Sequence, residues 1–227
     1  MKKLLITRAD DRVKQVTDLT HPMIKRYADM CGAEFMILDG NETPPMNHYR
    51  ILKCYDLLKK YDRILHLDSD ILIKKDCHDI FKYVDETKIG TIFEDKGSRE
   101  KYRRSLIKLI QDKRDNIGWV EGYINTGVFI VSKCHREIFN VDKDNLWMDF
   151  GQDDVELGYN INKIGFEIQE LSWKFNCMSM HSEPELGKHR FDASILHYAG
   201  GGWYRYMTQH RQIEQDKILL KRFGMLL

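Results

Sequence analysis

Two aspartates one residue apart, Asp68 and Asp70, follow an apolar run in the stretch 64–73 and are followed by a second apolar run. Burying an unpaired carboxylate costs several kcal/mol, so such a pair at the edge of a sheet needs a cation or many hydrogen-bond donors. Oxygen ligands of this kind suit Mg²⁺ or Mn²⁺, which keep coordination places for phosphate oxygens of a substrate. The alternative is that both aspartates only cap a turn after a strand.

The elements before this pair alternate between strand and helix patterns. The apolar run 4–7 predicts a first strand, and helically spaced apolar residues predict a helix that ends at Gly32. Residues 35–38 predict a second strand, and Ile51, Tyr55 and Leu58 mark one face of a second helix. A third strand over 63–67 leads directly into Asp68. This order predicts βαβ units and a largely parallel sheet, whose carboxyl edge is where open α/β sheets bind ligands.

The second half of the chain predicts fewer elements. The charged stretch 99–116 reads as a solvated helix rather than a binding patch. Residues 123–132 predict a central strand, and a helix is expected from about Asp153 to Gly165.

Composition sets the broad class. The chain of 227 residues, with 42% hydrophobic residues, fits one sheet-centred α/β domain. Its 36 basic and 35 acidic residues nearly cancel, which argues against nucleic-acid and membrane-surface partners. Five cysteines, an odd number without a CxxC pair, favour a reduced compartment, so a cytoplasmic location is expected. No stretch approaches the roughly 20 apolar residues of a membrane span.

Four segments together carry a family resemblance. The stretch 61–70 resembles the DxD region of GT-A glycosyltransferases, above all those of families eight and thirty-four. Three more segments agree in order: 125–130 resembles an Asn-x-Gly strand, 152–154 a helix start with Asp and Gln, and 197–200 a closing His-x-x-Gly. The match spans most of the chain, and small viral and bacterial single-domain transferases share this layout.

The resemblance implies a fold and a reaction. The expected fold is a single GT-A domain over 1–227, with a Rossmann-like, mostly parallel central sheet flanked by helices. Residues 1–132 would form the nucleotide-sugar-binding half, and 133–227 the acceptor-side half with the closing metal-ligand segment. The implied reaction moves a hexose-type sugar from a nucleotide-diphospho-sugar, expected to be a UDP-sugar, to a hydroxyl of a glycan or glycoprotein acceptor, with retention of configuration.

The resemblance also implies site residues. Asp68, Asp70 and His197 would bind Mn²⁺ or Mg²⁺, which in turn would grip the donor diphosphate. Gln152 and Asp153 are the candidates beside the reacting sugar, although either residue would also serve as a helix cap. The remaining donor-site candidates are Thr7, Arg8, Ala9, Asp10, Lys53, Asp68, Ser69, Asn125, Gly127, Gly200, Trp203 and Arg205.

Some of these assignments have ordinary structural alternatives. His197 alone would read as a core histidine, and Trp203 as core packing. Lys53 is preferred to Arg50 as the basic residue before the DxD strand. The chain also departs from the family pattern: Trp203 stands where a lysine is common, and Gly151 replaces the first carboxylate of the Asp-Gln-Asp segment. The donor sugar is therefore open.

Three other functions compete with glycosyl transfer. A haloacid-dehalogenase-like phosphatase also carries a DxD after an apolar strand, but normally on its first strand, and Leu72 stands where that class has Thr or Val. A sugar nucleotidyltransferase would need a Gly-rich basic loop after the first strand, which this sequence lacks. A non-catalytic carbohydrate-binding module on the same fold is the third alternative.

Overall fold

Nine strands form two sheets in the computed structural model, which describes residues 1–179, 187–200, 203 and 206–227. In chain order the strands are β1 (Lys3–Arg8), β2 (Glu34–Leu38), β3 (Arg63–Leu67), β4 (Ile71–Ile73), β5 (Ile89–Phe93), β6 (Ile124–Ser132), β7 (Ile168–Glu170), β8 (Cys177–Met178) and β9 (Ile195–His197). The central sheet has the order β2-β1-β3-β6-β5-β7, and a small sheet has the order β4-β9-β8.

The central sheet is mostly parallel. β1 pairs in parallel with β2 and β3, and β5 pairs in parallel with β7, whereas β6 is antiparallel to both of its neighbours. The amino end of the reversed strand β6 therefore lies at the edge where β1 and β3 end. This arrangement confirms the predicted fold class and gathers the motifs that follow β1 and β3 beside the start of β6.

The described helices cover both faces of the central sheet. They are α1 (Lys14–Cys31), α2 (Cys54–Leu57), α3 (Ile80–Tyr83), α4 (Glu100–Lys113), α5 (Gln152–Ile164) and α6 (Gln209–Arg222). Short 3₁₀ helices occupy Asp11–Val13, Met46–Lys53, Gly97–Arg99, Lys133–Phe139, Lys143–Asn145, Trp173–Phe175 and Arg190–Asp192. Within this described part, no helix is both long and apolar enough to cross a membrane.

Alternation along the strands divides the core into two layers. Leu5 and Leu65 point to the face that packs against Ile24 and Tyr27 of α1. The neighbouring residues of both strands point to the opposite face, where they pack with the buried side of α5. A separate apolar cluster joins β4 and β9 to α1 and α6. Because α6 contacts the small sheet in this way, its first residues lie near the end of β3.

The predicted helix ends agree with the structure. Gly32 follows α1 with φ of 64°, and its N–H bonds the carbonyls of Ala28 and Asp29. Gly165 follows α5 with φ of 89°. Both angles lie in the left-handed region that glycine adopts without steric cost.

The predicted second helix differs in form. Residues Met46–Lys53 form a 3₁₀ helix, and only the following residues form the one-turn helix α2. Its apolar members Ile51 and Leu58 are still fully buried against the sheet, as the helical spacing predicted. Of the basic residues Arg50 and Lys53 in this segment, Arg50 is buried and Lys53 is exposed.

Candidate active site

Three side chains converge at the carboxyl edge of the central sheet. The backbone N–H of Asp68 donates to the carbonyl of Gly127 at 2.9 Å, which extends the β3–β6 pairing by one residue. Asp70 directly precedes β4, and the antiparallel β4–β9 pairing sets Ile71 opposite His197. As a result, His197 Nε2 lies 3.3 Å from Asp70 Oδ1 and 3.5 Å from Asp68 Oδ2. The structure thus brings all three predicted metal ligands together.

In each of these three residues, the polar atom that faces away from the other two contacts another protein side chain. Arg8 Nη2 donates to Asp68 Oδ1 at 2.8 Å, and Gln209 Nε2 donates to Asp70 Oδ2 at 2.7 Å. His197 Nδ1 lies 2.8 Å from Asn176 Oδ1. One oxygen of each carboxylate and one ring nitrogen therefore face a common point, with ligand atoms within 4.8 Å of one another.

The hydrogen bonds assign the ring nitrogens of His197 their roles. Asn176 Nδ2 donates to Asn125 Oδ1 at 2.8 Å, so Asn176 turns its oxygen toward the histidine. Nδ1–H of His197 donates to that oxygen, and Nε2 faces the two carboxylates. Although burial lowers the pKa of His197, Asp70 and Asp68 raise it more, to about 10. A site that attracts positive charge this strongly, through two oxygens and one imidazole nitrogen, fits a divalent cation.

Gly127 makes room for this group. A Cβ atom at this position would lie 2.3 Å from His197 Cε1 and 2.9 Å from both Asp68 Oδ2 and Asn125 Oδ1. Any side chain here would therefore have to displace the imidazole. The predicted donor-site residue Gly127 lies behind the metal ligands, where the absence of a side chain is a steric requirement.

Gly127→Ala is expected to weaken Mn²⁺ binding about tenfold to a hundredfold, the range for disturbed ligand orientation. It should also cost about 1–3 kcal/mol of stability through overpacking. Gly90→Ala is the matched control, because its Cβ would meet the aliphatic side chains of Ile130 and Val84 at 2.6 Å, away from the ligands. Calorimetric titration with Mn²⁺ and thermal melts of both variants measure the two effects. Equal Mn²⁺ affinity in both variants would contradict this role for Gly127.

Asn125 belongs to a buried polar network behind His197. Its Nδ2 donates to Glu94 Oε1 at 2.6 Å, and its Oδ1 accepts from the N–H of Gly127 at 3.0 Å. The fully buried Glu94 is in turn paired with Arg103, and lies 3.2 Å from Arg99. The side chain of Asn125, predicted to contact the donor, is thereby engaged in orienting Asn176 and, through it, His197.

The residues after β1 border a cavity in front of Asp68 and Asp70. This cavity measures about 220 Å³, and its lining includes the predicted residues Arg8, Ala9, Asp10, Ser69 and both aspartates. Its remaining lining residues are Val13, Val16, Asn47, His48, Arg50 and Gln209. Thr7, predicted beside them, is fully buried in β1 and does not line this cavity.

Arg50 lines this cavity, whereas the predicted Lys53 does not. Lys53 Nζ donates to the carbonyl of Asp39 at 3.0 Å in an exposed position, and its side chain lines a different cavity. The Arg50 side chain is only 2% exposed, and its Nη2 donates to Asp10 at 2.9 Å. Arg50 is one of the buried residues of this 3₁₀ helix, whereas Lys53 at its end is exposed.

The two candidates at the start of α5 lie in different surroundings. Asp153 is buried, and its Oδ2 accepts from Arg8 Nη1 at 2.5 Å and lies 2.9 Å from the hydroxyl of Thr126. Gln152 Nε2 donates to the carbonyl of Asp149 at 3.0 Å. The structure therefore joins Asp153, and not the side chain of Gln152, to the metal-ligand group. Asp153 bonds side chains here rather than capping its helix.

Arg8 supplies a positive charge beside the carboxylates of Asp68 and Asp153. Burial lowers its pKa, but Asp153 and Asp68 raise it more, so the guanidinium stays charged. Next to it, burial and the nearby Asp153 and Glu94 raise the pKa of Asp154 well above its usual range. The adjacent residues Asp153 and Asp154 thus have different electrostatic environments. Asp153 is paired with the cationic Arg8, and no cation among the described residues pairs with Asp154.

The closing segment is only partly described. Gly200 is exposed with φ of 69°, and a Cβ there would meet open space. Trp203 packs edge-on against Tyr198, with ring centroids 4.9 Å apart, and its backbone N–H donates to Gln212 Oε1, so it is held by the C-terminal core. Arg205, together with Gly201 and Gly202, lies outside the described residues.

Sequence reasoning missed Gln209, Asn176 and His66. Gln209 and Asn176 carry no motif, and only the tertiary structure brings them to the ligands. The sequence does give a signal for His66, because it is a polar residue within an otherwise apolar strand pattern. Its Nδ1 bonds the carbonyl of Thr126 at 2.6 Å, and its Nε2 lies 3.7 Å from Asp68 Oδ1. Burial and the nearby Arg8 lower the pKa of His66 to about 4, so the ring is neutral.

Comparisons with known proteins agree with this geometry. The sequence profile described as glycosyl transferase family 8 matches residues 10–203. A search of curated proteins found no match. Among solved structures, a glycosyltransferase involved in glycosylation of the major capsid of PBCV-1 is similar, with 16% identity, a TM-score of 0.61, and coverage of 95% of this chain and 100% of that one.

Two further solved structures were determined with ligands. The galactosyltransferase LgtC, in complex with donor and acceptor sugar analogs, shares 16% identity at a TM-score of 0.54, over 95% of each chain. A Drosophila β1,4-galactosyltransferase 7 in complex with manganese, UDP-Gal and xylobiose shares 12% identity at a TM-score of 0.53, over 92% of this chain and 75% of that one. At these identities the likeness shows the GT-A fold.

Proposed function

Since the chain belongs to glycosyl transferase family 8, we propose that it transfers a hexose-type sugar from a UDP-sugar to an acceptor hydroxyl of a glycan or glycoprotein. The observation that carries this proposal is the convergence of Asp68, Asp70 and His197 beside a cavity at the carboxyl edge of the sheet. A single carboxylate pair after a strand would also suit other reactions. The third ligand, supplied by β9, makes the site one that fits a divalent cation facing an open cavity.

The charges of the site match a diphosphate leaving group. A divalent cation held by Asp68, Asp70 and His197 would neutralise the negative charge of the departing nucleoside diphosphate. Arg8 lines the same cavity and adds a fixed positive charge, while the residues after β1, Ala9 and Asp10, border the space for the nucleoside. Mn²⁺ is the proposed ion, with Mg²⁺ as the alternative, because oxygen-rich sites bind both.

Asp153 is proposed to act on the donor sugar. Positive charge develops at the anomeric carbon as the leaving-group bond breaks, and a nearby carboxylate stabilises it. Asp153 is buried, and Arg8 pairs with both Asp153 and Asp68. Only the guanidinium of Arg8 therefore separates the carboxylate of Asp153 from the metal-ligand group. Retention of configuration remains part of the proposal by family likeness, and Gln152 remains the second candidate beside the sugar.

The phosphatase alternative is less consistent with the contacts. A phosphatase of that class uses its first aspartate as a nucleophile, which requires a carboxylate open to the substrate. Here one oxygen of Asp68 is bonded to Arg8, and the other faces His197. The antiparallel strand β6 beside β3 and the family profile also favour the transferase. A screen for release of nucleoside diphosphate distinguishes the transferase from a carbohydrate-binding module that catalyses no reaction.

A screen of nucleotide-sugars tests the proposal. Purified protein is incubated with Mn²⁺ and, separately, with each UDP- and GDP-sugar, and release of nucleoside diphosphate is measured. We expect Mn²⁺-dependent release from at least one UDP-hexose, lost on chelation and restored by Mn²⁺. Binding of a UDP-sugar without any release, with or without glycan acceptors, would favour the binding module. Release of inorganic phosphate from sugar phosphates, without release of nucleoside diphosphate from any nucleotide-sugar, would favour the phosphatase.

A further inference from the structure

Arg8 is the single described residue that bonds both a predicted metal ligand and Asp153. It ends β1, and its side chain is only 10% exposed. Nη2 donates to Asp68 Oδ1 at 2.8 Å, and Nη1 donates to Asp153 Oδ2 at 2.5 Å and to the carbonyl of His48 at 2.5 Å. The fork of the guanidinium thus joins Asp68, which directly follows β3, to Asp153 of α5.

The other guanidinium that lines the cavity is differently engaged. Arg50 is paired with Asp10 at 2.9 Å and with Glu42 at 2.9 Å. Its positive charge is therefore balanced away from the metal-ligand group. The guanidinium charge next to Asp68 is accordingly that of Arg8.

A fixed positive charge on a metal ligand has two opposite effects on binding. It repels a divalent cation that arrives alone, because like charges in a partly buried site are weakly screened. It attracts a nucleoside diphosphate, and the diphosphate removes the repulsion by supplying compensating negative charge. Two ligands that relieve each other's electrostatic cost in this way bind with positive coupling, and each raises the affinity of the other by the same factor.

We propose that Arg8 is a resident counter-cation that makes cation and donor bind cooperatively, by opposing the divalent cation alone and favouring it together with the diphosphate. This inference rests on the proposed function. In the cation-free protein, Arg8 holds Asp68 and Asp153 together and so keeps the acidic cluster neutralised. Its role is to position these carboxylates and to couple the binding of cation and diphosphate.

Calorimetric titrations test the charge of Arg8 directly. Mn²⁺ affinity is measured with and without UDP for wild type, Arg8→Gln and Arg8→Lys. Arg8→Gln is expected to bind Mn²⁺ alone about tenfold more tightly, and its coupling between Mn²⁺ and UDP should fall by a similar factor. Arg8→Lys keeps the charge and should bind Mn²⁺ alone as wild type does. Arg12→Gln, which removes an equal charge from an exposed arginine paired with Asp10, should leave Mn²⁺ affinity unchanged.

The outcomes separate this inference from the proposed function. If wild type binds neither Mn²⁺ nor UDP, the proposed function is wrong whatever Arg8 does. If wild type binds both, but Arg8→Gln binds Mn²⁺ with unchanged or weaker affinity, the role of Arg8 is wrong and the function stands. Should Arg8→Gln fail to fold, Asp153→Asn tests the same link. It leaves Arg8 to neutralise Asp68 alone, so Mn²⁺ affinity should fall, and an unchanged affinity would overturn the inference.

Discussion

Asp70→Asn is expected to lower Mn²⁺-dependent turnover about a thousandfold, which corresponds to about 4 kcal/mol of transition-state stabilisation. The reason is that the substitution removes the charge of the ligand that faces His197 Nε2 at 3.3 Å, while the isosteric side chain keeps the volume. Gln209 still has an oxygen to bond, so the fold should persist. Turnover at saturating UDP-sugar and a thermal melt, both with and without Mn²⁺, measure the change.

Asp76→Asn is the matched control for this variant. Asp76 lies in the same segment of chain, but its side chain is 59% exposed and pairs with Lys74. It should turn over like wild type, because the exposed carboxylate of Asp76 is not one of the ligand group. Asp68→Asn should lose activity as Asp70→Asn does, but should also be less stable, since Arg8 then keeps only Asp153 as an anionic partner. Wild-type activity in Asp70→Asn would refute the metal assignment.

Asp153→Asn is expected to reduce turnover at saturating Mn²⁺ about a hundredfold, equal to about 3 kcal/mol. If Asp153 were only a helix cap, Asn would replace it at a cost of about 1 kcal/mol of stability or less and leave turnover intact. The structure favours the larger effect, because Oδ2 of Asp153 bonds Arg8 and Thr126 instead of the helix backbone. The melting temperature should also fall somewhat, since a buried charge pair is broken.

Two neighbouring variants calibrate this result. Gln152→Ala should lose less turnover than Asp153→Asn, because the amide of Gln152 bonds the carbonyl of Asp149 and not the cluster. Asp149→Asn removes an exposed charge that is paired with Lys113, and should behave as wild type. Rates are compared with melting temperatures for all three. A larger loss in Gln152→Ala than in Asp153→Asn would reverse the assignment of the two candidates.

Local patterns predicted the frame of the site. The apolar run before Asp68 identified β3, and the alternation of strands and helices identified a sheet edge as the ligand position. Both predictions rest on the hydrophobic pattern of a few consecutive residues, and a buried strand shows such a pattern in its own sequence. Gly127 was also found by its motif, although its role became clear only from the 2.3 Å approach of its virtual Cβ to His197.

The contacts between distant segments were not predictable from these patterns. His197 reaches the aspartates because β9 pairs with β4, two three-residue strands whose sequences are too short to show an alternation. Gln209 arrives with α6, which is placed by apolar contacts with the small sheet. The family resemblance supplied His197 where the pattern could not.

The basic residues before β3 show the limit of a prediction made from a buried face. Helical spacing identified the buried face through Ile51 and Leu58, and this face is as predicted. The buried Arg50 pairs with Asp10, whereas the exposed Lys53 donates to the carbonyl of Asp39. Burial patterns define a face, whereas the rotation of a single polar side chain depends on the local hydrogen bonds.

The proposed metal-linked diphosphate site is tested by calorimetric titration of UDP into wild type and into His197→Ala, each with Mn²⁺ and with a chelator. Wild type is expected to bind UDP tightly only when Mn²⁺ is present, because one ion links the ligand triad to the diphosphate. His197→Ala should weaken Mn²⁺ and UDP binding together, about tenfold or more. Equal UDP affinity with and without Mn²⁺, or unchanged affinity in His197→Ala, would contradict the site described here.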